Sequence, residues 1–180
     1  MQVYVALLRG VNVGGKNRLP MKELAGLCEQ AGLLRVRTYI QSGNVVFEAT
    51  EAKARKASAA LCAAIEARFG FRSPVIMRSA EELAAVIGGN PFLQAGAAEG
   101  ELHVAFLQDA PDAARIASLE PNRSPGDEFR VIGREVYLRC PNGVGQTKLT
   151  NAWLDSRLKT ISTGRNWRTV CALLAMAQGR

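Results

Sequence analysis

Residues 10–20, Gly-Val-Asn-Val-Gly-Gly-Lys-Asn-Arg-Leu-Pro, follow directly on an unbroken apolar run, Val3 to Leu8. Glycine frees the backbone to turn its N–H groups toward a ligand, and Arg9, Lys16 and Arg18 place positive charge beside them. With Gly10, Asn12, Gly14, Gly15 and Asn17 completing the set, the stretch predicts a cradle for an anion. The spacing Gly10-x-x-x-x-Gly15-Lys16-Asn17 comes within one residue of a P-loop. That residue matters: a P-loop needs Ser or Thr after the lysine to hold Mg²⁺ and a helix opening at the same turn. Here Asn17 fills the position and the next helix waits for Pro20. The alternative to a cradle is a glycine-rich connection that holds nothing.

Two further stretches carry groups able to bind. Tyr39-Ile-Gln-Ser-Gly-Asn44 offers Gln41, Ser42 and Asn44 at a turn, all able to donate and accept hydrogen bonds. Ser42 sits in no Gly-x-Ser-x-Gly elbow and has no histidine near it in sequence, so binding is expected there before catalysis. Lys148 and the segment Thr163-Gly-Arg-Asn-Trp-Arg168 form the third candidate. Asn166 is a good N-cap for a last helix, Arg165 and Arg168 flank that helix start, and Trp167 could stack on a base. The competing reading is that Asn166 merely caps and Trp167 anchors the helix in the core.

Other chemistries find little material. Acids are sparse in the basic segments, and the single histidine, His103, lies among strand-like residues. Neither paired carboxylates nor a zinc-type cluster is present, so no metal and no cofactor is expected. Cys28, Cys62, Cys140 and Cys171 are scattered without a Cys-x-x-Cys pair, which reads as reduced thiols of a cytoplasmic protein. At 48% hydrophobic and 22% charged residues the chain has a globular composition, and no apolar run approaches the roughly 18 residues a membrane span needs. The expectation is therefore no membrane partner; the oligomeric state stays open.

Charge is uneven along the chain. Residues 1–48 hold 6 basic against 3 acidic residues, residues 49–140 hold 11 against 12, and residues 141–180 hold 6 against 1. If the two ends meet they make one positive surface, suited to phosphate-bearing partners.

The elements that would carry these groups alternate. Val3 to Leu8 reads as a strand. Pro20 opens a helix with Leu24, Leu27, Cys28 and Ala31 on one face and Gly32 at its end. Arg35 to Gln41 and Asn44 to Glu48 form a hairpin, a long alanine-rich helix runs from about Glu51 to Phe69, and Pro74 to Met77 is a strand. That order predicts a split β-α-β unit of ferredoxin-like type. The second half repeats it loosely: a capping box at Ser79 to Glu82, a strand at Leu102 to Leu107, a helix at Pro111 to Leu119, a hairpin turned at Gly133-Arg134, and helices from about Lys148 to Leu158 and from about Trp167. Apolar runs as continuous as Val3 to Leu8 predict a sheet covered on both faces, hence a second half packed on the first.

Leu8-Arg-Gly-Val-Asn-Val-Gly-Gly-Lys-Asn-Arg-Leu-Pro-Met21, Thr38-Tyr-Ile-Gln-Ser-Gly-Asn-Val-Val-Phe47, Asn90-Pro-Phe92, Thr147-Lys-Leu-Thr-Asn151 and Arg165-Asn-Trp-Arg-Thr-Val170 together resemble the bacterial family DUF1697, whose function is unknown. The resemblance implies an α+β protein of two ferredoxin-like (β-α-β-β-α-β type) subdomains packed together, with C-terminal helices, and no established activity. The expected division is residues 1–79 and 80–180. The function expected from the residues is binding of a phosphate-bearing ligand, nucleic acid first among them. The alternative is an enzyme acting on a nucleotide or phosphorylated small molecule at the glycine-rich loop.

Overall fold

A computed structural model describes residues 1–179. The protein is α+β, with two four-stranded antiparallel sheets. β1 (Gln2–Leu8), α1 (Met21–Gln30), β2 (Leu34–Tyr39), β3 (Asn44–Ala49), α2 (Glu51–Phe69) and β4 (Val75–Ser79) build the first, in the order β2-β3-β1-β4. After α3 (Ala80–Gly88), α4 (Pro91–Gln94) and a 3-10 turn come β5 (Leu102–Leu107), α5 (Ala113–Ala117), β6 (Glu128–Ile132), β7 (Glu135–Arg139), α6 (Asn151–Leu158) and β8 (Ser162–Asn166). The second sheet runs β6-β7-β5-β8, the same order shifted by four strands, and α7 (Trp167–Ala177) closes the fold. Two compact units emerge. One holds residues 1–84 and the C-terminal residues from 172, the other residues 85–171, so the divisions fall inside α3 and α7.

Local sequence explains the element ends. Thr50 caps α2 by accepting from Lys53 N–H, and Gly70 ends the helix at φ 74°, a left-handed conformation that suits glycine. α1 stops in a Schellman-type turn, with Leu33 N–H on the Cys28 carbonyl at 3.1 Å and Gly32 N–H on the Glu29 carbonyl at 2.8 Å. Pro20 is the extended residue just ahead of α1 rather than its first helical one. The capping box is present: Glu82 N–H donates to Ser79 Oγ at 3.1 Å and Ser79 N–H to Glu82 Oε2 at 2.7 Å.

In the first unit Tyr4, Ala6, Leu8, Val45 and Phe47 pack with Leu24, Leu27, Leu61 and Ile65 of the two helices. Val5 and Leu7 on the opposite face of β1 are also buried, as the continuous apolar run requires. The second unit has a matching core of Ala105, Leu107, Val136, Leu138, Leu149, Trp153, Leu154 and Leu158.

Three expectations need correction. Residues 162–166 form strand β8, not a loop leading into a helix, because their backbone pairs with β5 although Ser-Thr-Gly-Arg-Asn has little strand propensity of its own. α6 begins at Asn151 rather than Lys148, since Thr150 accepts from Trp153 N–H and fixes the start there. α5 covers only Ala113–Ala117, with Asp112 as its cap.

Candidate functional site

The glycine-rich stretch folds into a short finger. Lys16 N–H donates to the Val13 carbonyl at 3.0 Å, and the two residues between them, Gly14 and Gly15, both have positive φ (57° and 75°). Those are the marks of a type I′ two-residue turn, the hairpin turn that only glycine, Asn and Asp fill easily. Asn12 N–H on the Asn17 carbonyl, 3.0 Å, adds a second rung. Below the turn, Asn12 and Asn17 hold left-handed backbone (φ 54° and 51°), which asparagine tolerates better than other side chains.

Amide side chains lock the finger to its unit. Asn12 Nδ2 donates to the Leu19 carbonyl (2.9 Å) and the Gln41 carbonyl (2.7 Å), while Asn12 Oδ1 accepts from Leu19 N–H at 2.8 Å. Asn17 Nδ2 donates to the Gly10 carbonyl at 2.9 Å. The loop and the 41–44 turn, far apart in sequence, thus meet. Leu8 N–H bonds the Gly43 carbonyl at 2.8 Å, and a Cβ on Gly43 would lie 2.6 Å from Val11 Cγ2 and 2.7 Å from Leu8 Cβ, so only glycine fits. Buried Asn44 donates to the Tyr39 carbonyl (3.1 Å) and to Ser42 Oγ (2.9 Å), holding the turn's shape. Arg9 is half-buried, its backbone bonded to the Pro74 carbonyl and to Ser73 Oγ. Gly14, Gly15, Lys16 and Arg18 are exposed, as is Gln41.

These bonds change what the polar groups are for. Asn12, Asn17 and Asn44 build the scaffold, and what stays exposed is the tip glycines with Lys16 and Arg18. Successive left-handed residues make a hairpin turn, not the alternating right- and left-handed pair that curls N–H groups around an anion.

Lys148, Arg165, Asn166, Trp167 and Arg168 belong to the second unit. Lys148 and Arg168 are exposed. Asn166 Oδ1 accepts from Thr169 N–H at 2.8 Å and so caps α7. Trp167 is 1% exposed; it anchors the helix and presents no ring face to a base. Alternation along β8 turns the Arg165 side chain to the sheet face opposite Asn166, where its Nη1 donates to Thr163 Oγ1 and the Gly164 carbonyl, both 2.8 Å. Burial pulls that guanidinium down to about 10, which leaves it charged at neutral pH.

Sequence reasoning missed a cavity of about 330 Å³ in the second unit. His103, Leu138, Val144, Thr147, Leu149, Thr150, Asn151, Gly164, Arg165 and Asn166 line it. His103 pairs across β5 with Asn166 on one side and Leu138 on the other, so the three share a face. Its Nδ1 is buried without a partner, and burial lowers the imidazole below its ordinary range, with the Glu101 backbone opposing. Thr147-Lys-Leu-Thr-Asn151 was conspicuous in the sequence, but with β8 unread nothing placed it across from Gly164.

Among the described residues no group of three or more His, Cys, Asp or Glu could hold a metal ion, and no helix is long and apolar enough to cross a membrane. The thiols of Cys28 and Cys140 are pushed up by burial, to about 12 and about 11.

The model of a family described as protein of unknown function, DUF1697, matches residues 1–137. The chain belongs to this family. The match takes in the finger, the 41–44 turn and the strands through most of β7, and DUF1697 therefore includes the whole N-terminal candidate site. Among solved structures, a conserved bacterial protein from Streptococcus pneumoniae is similar with a TM-score of 0.73 at 23% identity, over 98% of each chain. At that identity the likeness speaks for the fold. No curated protein matches this chain.

Proposed function

We propose that this DUF1697 protein binds a phosphate-bearing ligand, nucleic acid foremost, through the finger at Arg9 to Arg18 and the adjoining Gln41 to Asn44 turn. One observation carries the reading: Lys16 and Arg18 are exposed on a hairpin whose shape is fixed beforehand by the Asn12 and Asn17 amides. A finger already ordered loses little entropy on docking, and tip glycines let the backbone come close to a phosphate. A finger held by the single bridge Val13–Lys16 is narrower than the two-stranded ribbons that a nucleic-acid major groove admits. The basic surplus of residues 1–48 and 141–180 supports a phosphate-bearing partner. In this reading each sheet with its helices is a ferredoxin-like unit, the β2-β3-β1-β4 order supporting the first. The two-residue turn gives no support to the alternative, an enzyme with a phosphate cradle at this loop.

Fluorescence anisotropy with a labelled duplex tests it. Affinity is expected to fall with salt at a slope of about −0.9 per phosphate contact, and Lys16→Ala with Arg18→Ala to flatten that slope by roughly 2. Binding that ignores salt, or a slope unchanged in the double variant, refutes the reading.

A further inference from the structure

The second unit leaves open a place that the first unit fills. By register, β1 and β4 pair Tyr4 with Ser79 and Ala6 with Met77, while β5 and β8 pair His103 with Asn166 and Ala105 with Gly164. On the inner neighbour, Tyr4 faces Phe47 and His103 faces Leu138. In the first unit the Tyr4 and Phe47 rings stack at 5.9 Å and Met77 packs beside them. In the second, imidazole, leucine and glycine stand where the first has two rings and a methionine, and all three line the cavity.

The cover differs as well. α2 has 19 residues and starts immediately after β3, whereas α6 has 8 and is preceded by residues 140–150. Val144, Thr147 and Leu149 of that connection wall the cavity in place of a helix.

We infer that this cavity is a binding site for a nucleobase, taken up as a nucleoside or as the base of a nucleotide. Its size lies at the lower end of the roughly 300–1,000 Å³ of small-molecule sites, which suits a ring system. Leu138, Val144 and Leu149 supply an apolar wall for a ring face. The same lining carries the Asn151 and Asn166 amides, whose Nδ2 groups make no hydrogen bond among the described residues, and the His103 imidazole. Apolar atoms for a face and amides for an edge are what a heterocycle requires, and an asparagine amide pairs with the N6/N7 edge of adenine through two bonds. Lys148 is not in the lining, and Arg165, which is, alternates onto the other face of β8 and donates there to Thr163 Oγ1 and the Gly164 carbonyl. Gly164 keeps the floor clear, since a Cβ there would lie 3.7 Å from Asn151 Oδ1 and any longer side chain would reach into the space. This inference stands apart from the finger, which lies in the other unit and is not needed for it.

His103 is the only histidine, so its ring gives one assignable pair of proton NMR signals that report on the cavity directly. The experiment titrates the full chain with adenosine, guanosine, cytidine and uridine, which carry no phosphate for the finger to attract. A saturable shift of the His103 signals is expected, strongest with adenosine. Asn166→Asp keeps the oxygen that caps α7 but loses the amide donors, and is expected to weaken binding by about tenfold, the equivalent of one good hydrogen bond. Gly164→Val fills the floor with a residue suited to a strand and is expected to abolish the shift. The inference falls if no nucleoside shifts the signals at up to about 10 mM, beyond which affinity is negligible. It also falls if Gly164→Val binds as well as the parent, or if inorganic phosphate or acetate reproduces the shift and nucleosides do not. Duplex binding in the Asn166→Asp variant separates the two readings: loss of nucleoside binding with intact salt-dependent duplex affinity leaves the finger's role untouched.

Discussion

Two sheets with one strand order end up with different surfaces. The first unit packs its framework full, with Tyr4, Phe47 and Met77 closing the spot beside β4, and places its distinctive feature outside, in the finger between β1 and α1. The second unit has only a five-residue link, residues 108–112, in the place of that finger, and opens a cavity within its framework beside β8. Even the buried arginines correspond. Arg78 opposite Val5 and Arg165 opposite Val104 each donate to the carbonyl of the residue before them, and each precedes a side chain, Ser79 or Asn166, that caps the next helix. A shared backbone plan therefore constrains strands and caps, while loops and a few inward side chains decide what each unit can hold.

The sharpest way to break the first unit's half of this contrast is Gly43→Ala. The residue sits at φ 77°, and the added Cβ would meet Val11 and Leu8 inside contact distance. Left-handed strain and overpacking together are expected to cost about 2–4 kcal/mol, read as a drop in the urea midpoint. Wild-type stability would mean that the turn and the finger do not meet as described. Asn12→Ala comes next: it removes three hydrogen bonds joining the finger to Leu19 and Gln41. A loss of about 1–3 kcal/mol is expected, with faster proteolysis at Gly14-Gly15 because the anchor is gone. Unchanged protease resistance would show that the finger is held by something else.

A paired substitution sharpens the comparison of the two sheets. Met77→Ala removes a partly buried side chain from a filled position and is expected to cost about 1–2 kcal/mol, at the low end for buried methionine. Gly164→Val, at the matching position, adds atoms where space exists and is expected to change stability by less than about 1 kcal/mol. Equal penalties at the two positions would remove the claimed difference between a filled and an open site.

The sequence made the scaffold readable where physics is local. Helix α2 has its cap Thr50, its alanines and its terminal Gly70 in plain view, and the Asn44–Ala49 strand shows its burial in the apolar run Val45 to Phe47. β8 was not readable, because Ser-Thr-Gly-Arg-Asn is held as a strand by pairing with β5, a partner about sixty residues away in sequence. With β8 hidden, Asn166 and Arg165 looked like neighbours on one surface, and the cavity had no floor. The finger was visible as composition but not as chemistry. Asparagines beside glycine read as ligand-binding amides, whereas at positive φ their bonds turn inward to carbonyls of the same unit.

The smallest effect concerns the one titrating group in the cavity. His103 is held below its ordinary value by burial, so in the interval between its folded value and the unfolded value of about 6.5 the unfolded chain binds more protons than the native one. Stability from this residue is therefore complete above about 6.5 and declines as pH falls through the folded value. His103→Gln has no such term, so acidification from neutrality is expected to lower the melting temperature of the parent more than that of the variant. The parent's His103 signals should titrate below the normal histidine range in the same window. The opposite ranking of the two melting curves, or a midpoint at or above the ordinary value, would place the imidazole in open solvent or beside a carboxylate. Either would dissolve the contrast with Tyr4, whose equivalent position in the first unit is buried and stacked against Phe47.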